Sequence, residues 1–456
     1  MSHDIDVLVV GAGACGLAAA IAAHDAGATV AIVEKRERPG GNSSLSTGSV
    51  PGAGTRFQRE AGIMDSPDQM VKDLSRIAGE TDDPALLRRM AEVSATTVEW
   101  LVDTVKARMF LITAYKHIGH SVQRLHAPKS RRGQDLVDDL LAAIEHREIP
   151  LAVGNSVEDL VIEDGAVMGA VVRSTTGLST VRSRKTILAV NGFAADPELV
   201  KQYCPEIAGA QYFGALGSHG EAVRWGRKVG AALANMGAYQ GYAAVAYPHG
   251  SLLSWTTIEK GGMLVGADAR RFGDESLGYS GYARVVLEQG QYAFAIFDQR
   301  IFDIAALEDE FMELVRYGGV KKATSIAEIS AMFELDATVL ADTIADFNAA
   351  ASKAKADSFG RSDFALAPLS GALYGCRVVP GLFHTQGGLR VDADGRVLDT
   401  QGHAIPGLFA GGGAAAGISG RTGALGYASG NGLLTAIALG RLAGMAAAAE
   451  ILGGDA

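Results

Sequence analysis

The run DVLVVGAGACG at residues 6–16 constrains the fold more than any other part of the chain. Asp6–Val10 is a short apolar run, the pattern of a central parallel strand buried on both faces. Gly11, Gly13 and Gly16 follow in G-x-G-x-x-G spacing. LAAAIAAHDAG then predicts a helix ending at Gly27, and ATVAIVE a second strand ending at Glu34. In such a unit the first glycine allows the tight turn and the second lets a pyrophosphate approach the backbone. The third lets helix and strand pack closely. The helix N-terminus, entered through Ala14 and Cys15, holds phosphate charge. Glu34, an acid about twenty residues on, accepts hydrogen bonds from ribose hydroxyls and repels a 2′-phosphate. The segment therefore predicts dinucleotide binding.

The next segment separates FAD from NAD. KRERPGGNSSLSTG places Lys35, Gly41, Asn42, Ser43, Ser44, Thr47 and Gly48 just beyond the second strand. A nicotinamide domain would continue into a second mononucleotide half. A glycine–hydroxyl loop suits a longer cofactor that runs past its pyrophosphate to an isoalloxazine ring. This stretch resembles the FAD domain of the fumarate reductase and 3-ketosteroid dehydrogenase flavoproteins (FAD-binding type 2). The loop after Gly41 has no histidine where covalently flavinylated relatives carry one, so the resemblance implies noncovalent FAD.

Two helices are expected over 66–108, with caps at Ser66 and Asp83. The basic loop RLHAPKSRRG (124–133) precedes the helix QDLVDDLLAAIEHR. Strands at Ala152–Leu160, Ala166–Ser174 and Thr180–Ala189, split by EDG and TTG turns, predict a β-meander. TILAVNGF (Thr186 to Phe193) reads as another buried strand. From about Ala238 to Phe364 the character changes to tyrosines, short β-like pieces and helices. The expected fold class is α/β: a Rossmann-like FAD-binding domain with a β-meander (1–237 and 365–456) and an inserted α+β capping domain (238–364). IPGLFAGGG (405–413) and SGNGLLTAIALGRLAG (429–444) resemble the family's C-terminal return to the flavin. By that resemblance Val157, Asn191, Gly192, Gly412, Gly413, Ser429, Asn431, Leu433 and Leu434 join the cofactor set. The helix beginning near Ser429 would face the flavin N1/O2 edge, where negative charge builds on reduction. Where fumarate reductases carry an acid after their last glycines, this chain has Gly413.

The same resemblance implies chemistry at a carbon–carbon bond next to an activating group. HTQGG matches the fumarate reductase segment with the substrate-binding histidine, so His384 takes that place; a histidine merely held by backbone is the alternative. The family's proton-donating arginine, in a pattern like GKRFxNExTTRD, falls on Tyr279 of ARRFGDESLGYSG. Its carboxylate-gripping arginine falls on Tyr427, and its Thr-Glu pair on Ser254-Trp255. A bidentate arginine suits a carboxylate, whereas a tyrosine hydroxyl suits a carbonyl oxygen or an enolate. Tyr427 with the Gly430–Gly432 backbone resembles the ketone-binding pattern of the ketosteroid dehydrogenases.

Two readings follow. The first is an FAD-dependent α,β-dehydrogenase of a cyclic ketone such as a ketosteroid or a cyclohexanone, including carboxylated ones such as 4-oxocyclohexanecarboxylate. Tyr279 would then be the base, and a phenol of pKa about 10 needs a partner to serve as one. Tyr115, His117, His126 and Tyr282 are the candidates. The alternative is a fumarate-reductase-like ene-reductase of an unsaturated carboxylate, using His384 and Arg421. Trp255, Tyr115 and His126 complete the candidate substrate contacts. An isomerase or an electron-transfer subunit is the remaining class.

Net charge is −10, which argues against a general nucleic-acid binder. The three cysteines (Cys15, Cys204, Cys376) form no CxxC pair, so zinc ribbons, dithiols and c-type haem are unsupported. A reducing, cytoplasmic location is expected. The start MSHDIDVLVVG has no basic n-region and reads as no signal peptide. Leu433–Leu452 is Ala-rich and broken by Arg441 and glycines, so a buried helix is expected there, not a membrane span. The expected partners are a small-molecule substrate and an external electron acceptor: oxygen, a quinone or a redox protein.

Overall fold

Ile5–Val10 pairs in parallel with Val30–Val33 on one side and with Gly177–Leu188 on the other. The last four residues of this first strand are buried, as its unbroken apolarity requires. The computed structural model describes residues 4–453. Its main sheet runs Arg396–Leu398, Ala404–Ala410, Gly177–Leu188, Ile5–Val10, Val30–Val33, Leu151–Ala152. The expected meander is present as Ser156–Glu163, Ala166–Ser174 and Gly177–Leu188, each antiparallel to the next. The strand expected at 186–193 is not a separate element. Gly177–Leu188 is one continuous strand: its first half closes the meander and its second half enters the parallel sheet. Residues 189–193 are loop.

Ser66 and Asp83 cap the helices Pro67–Ala78 and Pro84–Asp103, accepting from Gln69 N and Leu86 N. Among the described residues one helix, Asn431–Gly453, is long and apolar enough to cross a membrane, and 67% of its most apolar window is buried. Its glycines explain the burial. A Cβ on Gly440 would stand 2.2 Å from the Cys15 carbonyl oxygen, and one on Gly444 2.2 Å from that of Ala19. Helix Ala14–Asp25 thus packs backbone to backbone against it, and ten of its residues are buried.

The chain forms two compact units, the first of residues 1–204, 214–239 and 384–456, the second of 205–213 and 240–383. Residues 205–213 and 365–383, expected in the first domain, therefore belong to the second unit. Sheet pairing is the reason: Gln211–Tyr212 pairs with Gly381–Leu382, and Leu373–Thr385 is the strand that organises the second sheet. That sheet runs Met263–Val265, Ala293–Asp298, Leu373–Thr385, Gly237–Ala246. Helices Ile326–Phe333 and Ala337–Ala351, capped by Ser325 and Asp336, belong to the same unit.

Candidate functional site

The glycine turn is closed beneath and open above. A Cβ on Gly16 would fall 1.9 Å from the Gly11 carbonyl oxygen, and one on Gly11 2.4 Å from that of Ala189. Gly13 is uncrowded, with its nearest neighbour, the Gly40 oxygen, at 3.6 Å, and around Gly41 nothing lies within 4 Å. Gly13 is the N-cap of helix Ala14–Asp25, and the helix has no acid in its first turn to compete with a phosphate. Gly40 N donates to the Ala12 carbonyl at 2.9 Å, and Ala14 N to Ser43 Oγ at 3.2 Å, so the glycine–hydroxyl loop is laid against the helix N-terminus. Ser44 Oγ and Thr47 Oγ1 bond locally to Gly41 O and Ser49 Oγ, and Asn42 Oδ1 accepts from Ala215 N. Gly48 needs its φ of 68° beside Pro128. Glu34 is oriented by two backbone donors, Ala12 N and Arg36 N, each at 2.8 Å. A carboxylate has about four acceptor positions, which leaves room for ribose hydroxyls.

Two strand-end loops meet beside the glycine turn. Asn191 (φ 69°) donates to Ser218 Oγ at 2.7 Å, and a Cβ on Gly413 would lie 2.5 Å from its Oδ1. Gly192 is as close-set: a Cβ there would meet Thr385 Oγ1 at 2.2 Å. Cys15 lies under Gly411 and Gly412, and burial pushes its thiol up to about 12, so it packs and does not react.

The turn before the C-terminal helix gathers the polar groups. Tyr427 is buried, its ring centroid 5.7 Å from that of His384 in an edge-on arrangement. A Cβ on Gly432 would stand 3.3 Å from His384 Nε2 and 3.4 Å from Tyr427 Oη. Glycine at 432 thus brings the helix N-terminus against both side chains. His384 is held from its δ side: Nδ1 accepts from Gln386 Nε2 at 3.1 Å, which leaves the imidazole proton on Nε2. Burial pushes its pKa down to about 4, and the imidazole is neutral at pH 7. Gly430 (φ 84°) fits against Ser49 and Pro51 where a Cβ would meet Pro51 Cδ at 2.7 Å. The Ser429 carbonyl accepts from His120 Nε2 at 2.8 Å. His120 is backed by the buried Arg124, which reaches both Asp65 (2.7 Å) and Asp73 (2.9 Å). Asn431 Oδ1 is a buried acceptor with no protein partner. Leu433 and Leu434 point into the core.

These features fit FAD. The open glycines and helix N-terminus suit its pyrophosphate, Glu34 its ribose, and the orphaned Asn431 oxygen a ring N–H. Ser429 and the start of the C-terminal helix suit the pyrimidine edge.

In the second unit, Tyr279 sits in the one-turn helix Gly278–Gly281. A buried ion network anchors that turn: Arg271 meets Glu275 at 2.6 Å and Asp357 at 2.5 Å, and Arg361 meets Glu275 at 3.3 Å. Gly241 N donates to Ser280 Oγ at 3.1 Å and ties the turn to strand Gly237–Ala246. That strand carries Tyr242, whose ring stacks on Tyr279 at 5.1 Å. Tyr242 Oη donates to the Leu253 carbonyl at 3.0 Å and accepts from Trp255 N at 3.2 Å. Burial, with Glu308 and Tyr279 adding, pushes its pKa well up and keeps it a neutral phenol. Sequence reasoning missed Tyr242; its signal would have been the tyrosine-rich strand 239–247.

Several expected contacts are spoken for. Arg421 is bound to Asp82 (2.6 Å) and Glu80 (3.1 Å), so it is not a substrate grip. Lys35 is paired with Glu221 and the Gly217 carbonyl instead of a phosphate. His126 is wholly buried, bonded to Thr55 Oγ1 at 3.0 Å, a core histidine. Trp255 is buried beside Tyr282, and Tyr282 is stacked on Phe272, its hydroxyl unpartnered and its pKa raised by burial. Tyr282 therefore offers no charge to stabilise a phenolate. Val157 lies opposite Val172 in the meander and offers only backbone or apolar surface. Tyr115 is part-exposed and packs on His117 at 4.6 Å.

The FAD binding domain family, FAD_binding_2, matches residues 6–432. The chain belongs to this family. It is an FAD-binding oxidoreductase domain similar to fumarate reductases, as its glycine motifs implied. The NADH:fumarate oxidoreductase of Klebsiella pneumoniae (strain 342) is 31% identical over 98% of this chain and 48% of that protein. The urocanate reductase of Eggerthella lenta is 30% identical over 90% of this chain and 70% of its own length. The open conformation of a flavocytochrome c3 fumarate reductase superimposes with a TM-score of 0.85 at 29% identity, covering 99% of this chain and 79% of that one. The chain thus spans about half the length of the Klebsiella protein.

Proposed function

We propose that this FAD-binding protein is an ene-reductase of an α,β-unsaturated monocarboxylate, working as the similar reductases of fumarate and urocanate work on theirs. The observation that carries the reading is the meeting of Tyr427 Oη, His384 Nε2 and the Gly432 backbone at one helix N-terminus. All three suit an oxygen on which negative charge develops. Bound FAD supplies the hydride for the β-carbon. Tyr427 and neutral His384 orient the acyl oxygen and stabilise its charge while the double bond is polarised. By the family resemblance, which sets it at the proton-donating position, Tyr279 is the residue assigned to protonate the α-carbon. A phenol is protonated at neutral pH, so it serves as an acid without the phenolate-stabilising partner that the dehydrogenase direction needs. A dicarboxylate is disfavoured, because tyrosines occupy both arginine positions and Arg421 is neutralised by Glu80 and Asp82.

The second reading, α,β-dehydrogenation of a cyclic ketone, is supported by the same two tyrosines, which suit a neutral carbonyl. An external redox partner supplies or removes the electrons in either direction. The three cysteines are buried and none is joined in a disulfide among the described residues, which supports the proposed cytoplasmic location.

Incubation with reduced methyl viologen and cinnamate or urocanate should yield the saturated acid by NMR. Recovery of unchanged acid across a panel of enoates contradicts the reading. Tyr427→Phe should keep FAD and lower turnover about 10²–10³-fold, the usual loss for one oxyanion donor. A rate unchanged by that substitution places the oxygen elsewhere.

A further inference from the structure

Arg131 and His117 form a corner of the first unit that neither the motifs nor the oxyanion cluster uses. Arg131 adopts a left-handed backbone (φ 58°) in the turn before helix Gly133–His146. A non-glycine residue held there is uncommon, and such strain clusters at ligand sites. Its Nη2 lies 3.3 Å from His117 Nε2. A guanidinium can only donate, so Nε2 accepts and the imidazole proton sits on Nδ1. Burial first, and then the Arg131 charge, hold His117 at about 3, so the ring is neutral and has this single proton. His117 Nδ1 and Arg131 Nε are both buried with no protein partner. Two buried N–H donors, one on a full positive charge, thus lack acceptors. The contrast with arginines whose side chains are buried is direct: Arg124, Arg271 and Arg361 each reach a carboxylate, and the partly buried Arg131 reaches none among the described residues.

The corner adjoins the candidate site. Gly133 N donates to the Ser46 carbonyl at 2.6 Å, which fixes the Arg131 turn on the glycine–hydroxyl loop. On the other side, Ser429 N donates to the Ile118 carbonyl at 3.1 Å, and a Cβ on Gly119 would lie 2.6 Å from Ala428 Cβ. His117 is thereby one residue from the segment that holds the Tyr427–Ser429 turn. Tyr115, its ring tilted against His117 and 37% exposed, marks the side open to solvent.

We propose that Arg131, with His117 Nδ1–H, is the binding site for a substrate carboxylate, replacing the arginine lost at position 427. This rests on the reductase reading for the identity of the ligand as substrate, but the anion site itself does not. The chemistry asked for is one negatively charged, planar acceptor group, as in a monocarboxylate.

The test is titration of the purified holoprotein by perturbation of its visible flavin spectrum, with benzoate and the neutral benzamide as probes. The wild type should prefer benzoate. Arg131→Gln should weaken benzoate about 10–100-fold, the scale of a hydrogen bond to a charged group, and leave benzamide and FAD retention unchanged. Arg131→Lys should restore part of the loss. Benzoate binding that is absent in the wild type, or unaltered in Arg131→Gln, overturns the site. So does loss of FAD in place of benzoate, which would assign Arg131 to the cofactor. Arg131-dependent benzoate binding without turnover of any enoate would overturn the reductase reading and leave the anion site standing. Enoate turnover with a KM unaffected by Arg131→Gln would do the reverse.

Discussion

Tyr279→Phe is expected to leave FAD content and the flavin spectrum intact while lowering turnover about 10²–10⁴-fold, the range for removing a positioned general acid. Only a hydroxyl is lost. The ring, which stacks on Tyr242, stays in place, as do the Arg271–Glu275–Asp357 ion pairs that anchor its turn. Binding of FAD and of the enoate should therefore survive, while hydride transfer slows because the proton that accompanies it is no longer supplied. Single-turnover mixing in deuterated solvent checks this: the wild type should show a solvent isotope effect, and the variant should be slow. Near-wild-type turnover in Tyr279→Phe would remove Tyr279 from the chemistry.

The second large effect is at Gly16. Alanine there would place a Cβ 1.9 Å from the Gly11 carbonyl oxygen and 3.0 Å from its carbon, a clash with backbone that cannot rotate away. Relief requires helix Ala14–Asp25 to move off the first strand. That helix is also locked by Gly440 and Gly444 on its other side. The expected cost is at or above the upper end of the roughly 1–3 kcal/mol typical of overpacking, with loss of FAD on purification. The thermal midpoint and the flavin-to-protein ratio report it. Gly165→Asn, in a meander turn where a Cβ meets nothing within 4 Å, should change neither. A stable, flavin-replete Gly16→Ala protein would contradict the packing of the cofactor turn.

The parts legible in the sequence are those whose cause is local. Gly11, Gly13 and Gly16 were readable because a tight turn, a close approach and a helix–strand contact each demand the absence of a side chain within six residues of chain. Ser66 and Asp83 were readable as caps because they bond within three residues. His384 and Tyr427 are named by resemblance alone, and the fold sets their rings edge to face. What failed was set by long-range pairing. Arg421 looked free because its partners, Glu80 and Asp82, come from the other end of the chain. Lys35 meets Glu221, and His126 meets Thr55, the cap of a helix 71 residues earlier in the chain. Tyr242 escaped notice because only the pairing of Gly241 with Ser280 sets it against Tyr279. The Arg131 corner was visible as a basic loop, but its lack of a carboxylate partner is a property of the folded unit.

Reoxidation of the pre-reduced holoprotein under anaerobic conditions tests the central claim most directly. Cinnamate, urocanate, fumarate and the neutral amide of cinnamate would be mixed in turn with reduced enzyme, and the return of the visible flavin band followed. The account predicts rapid reoxidation by a monocarboxylate, slower reaction with fumarate and with the amide, and loss of the rate in both Tyr279→Phe and Tyr427→Phe. Bleaching of the oxidised enzyme by 4-oxocyclohexanecarboxylate, with no reoxidation by any enoate, would contradict it and establish the ketone dehydrogenase in its place.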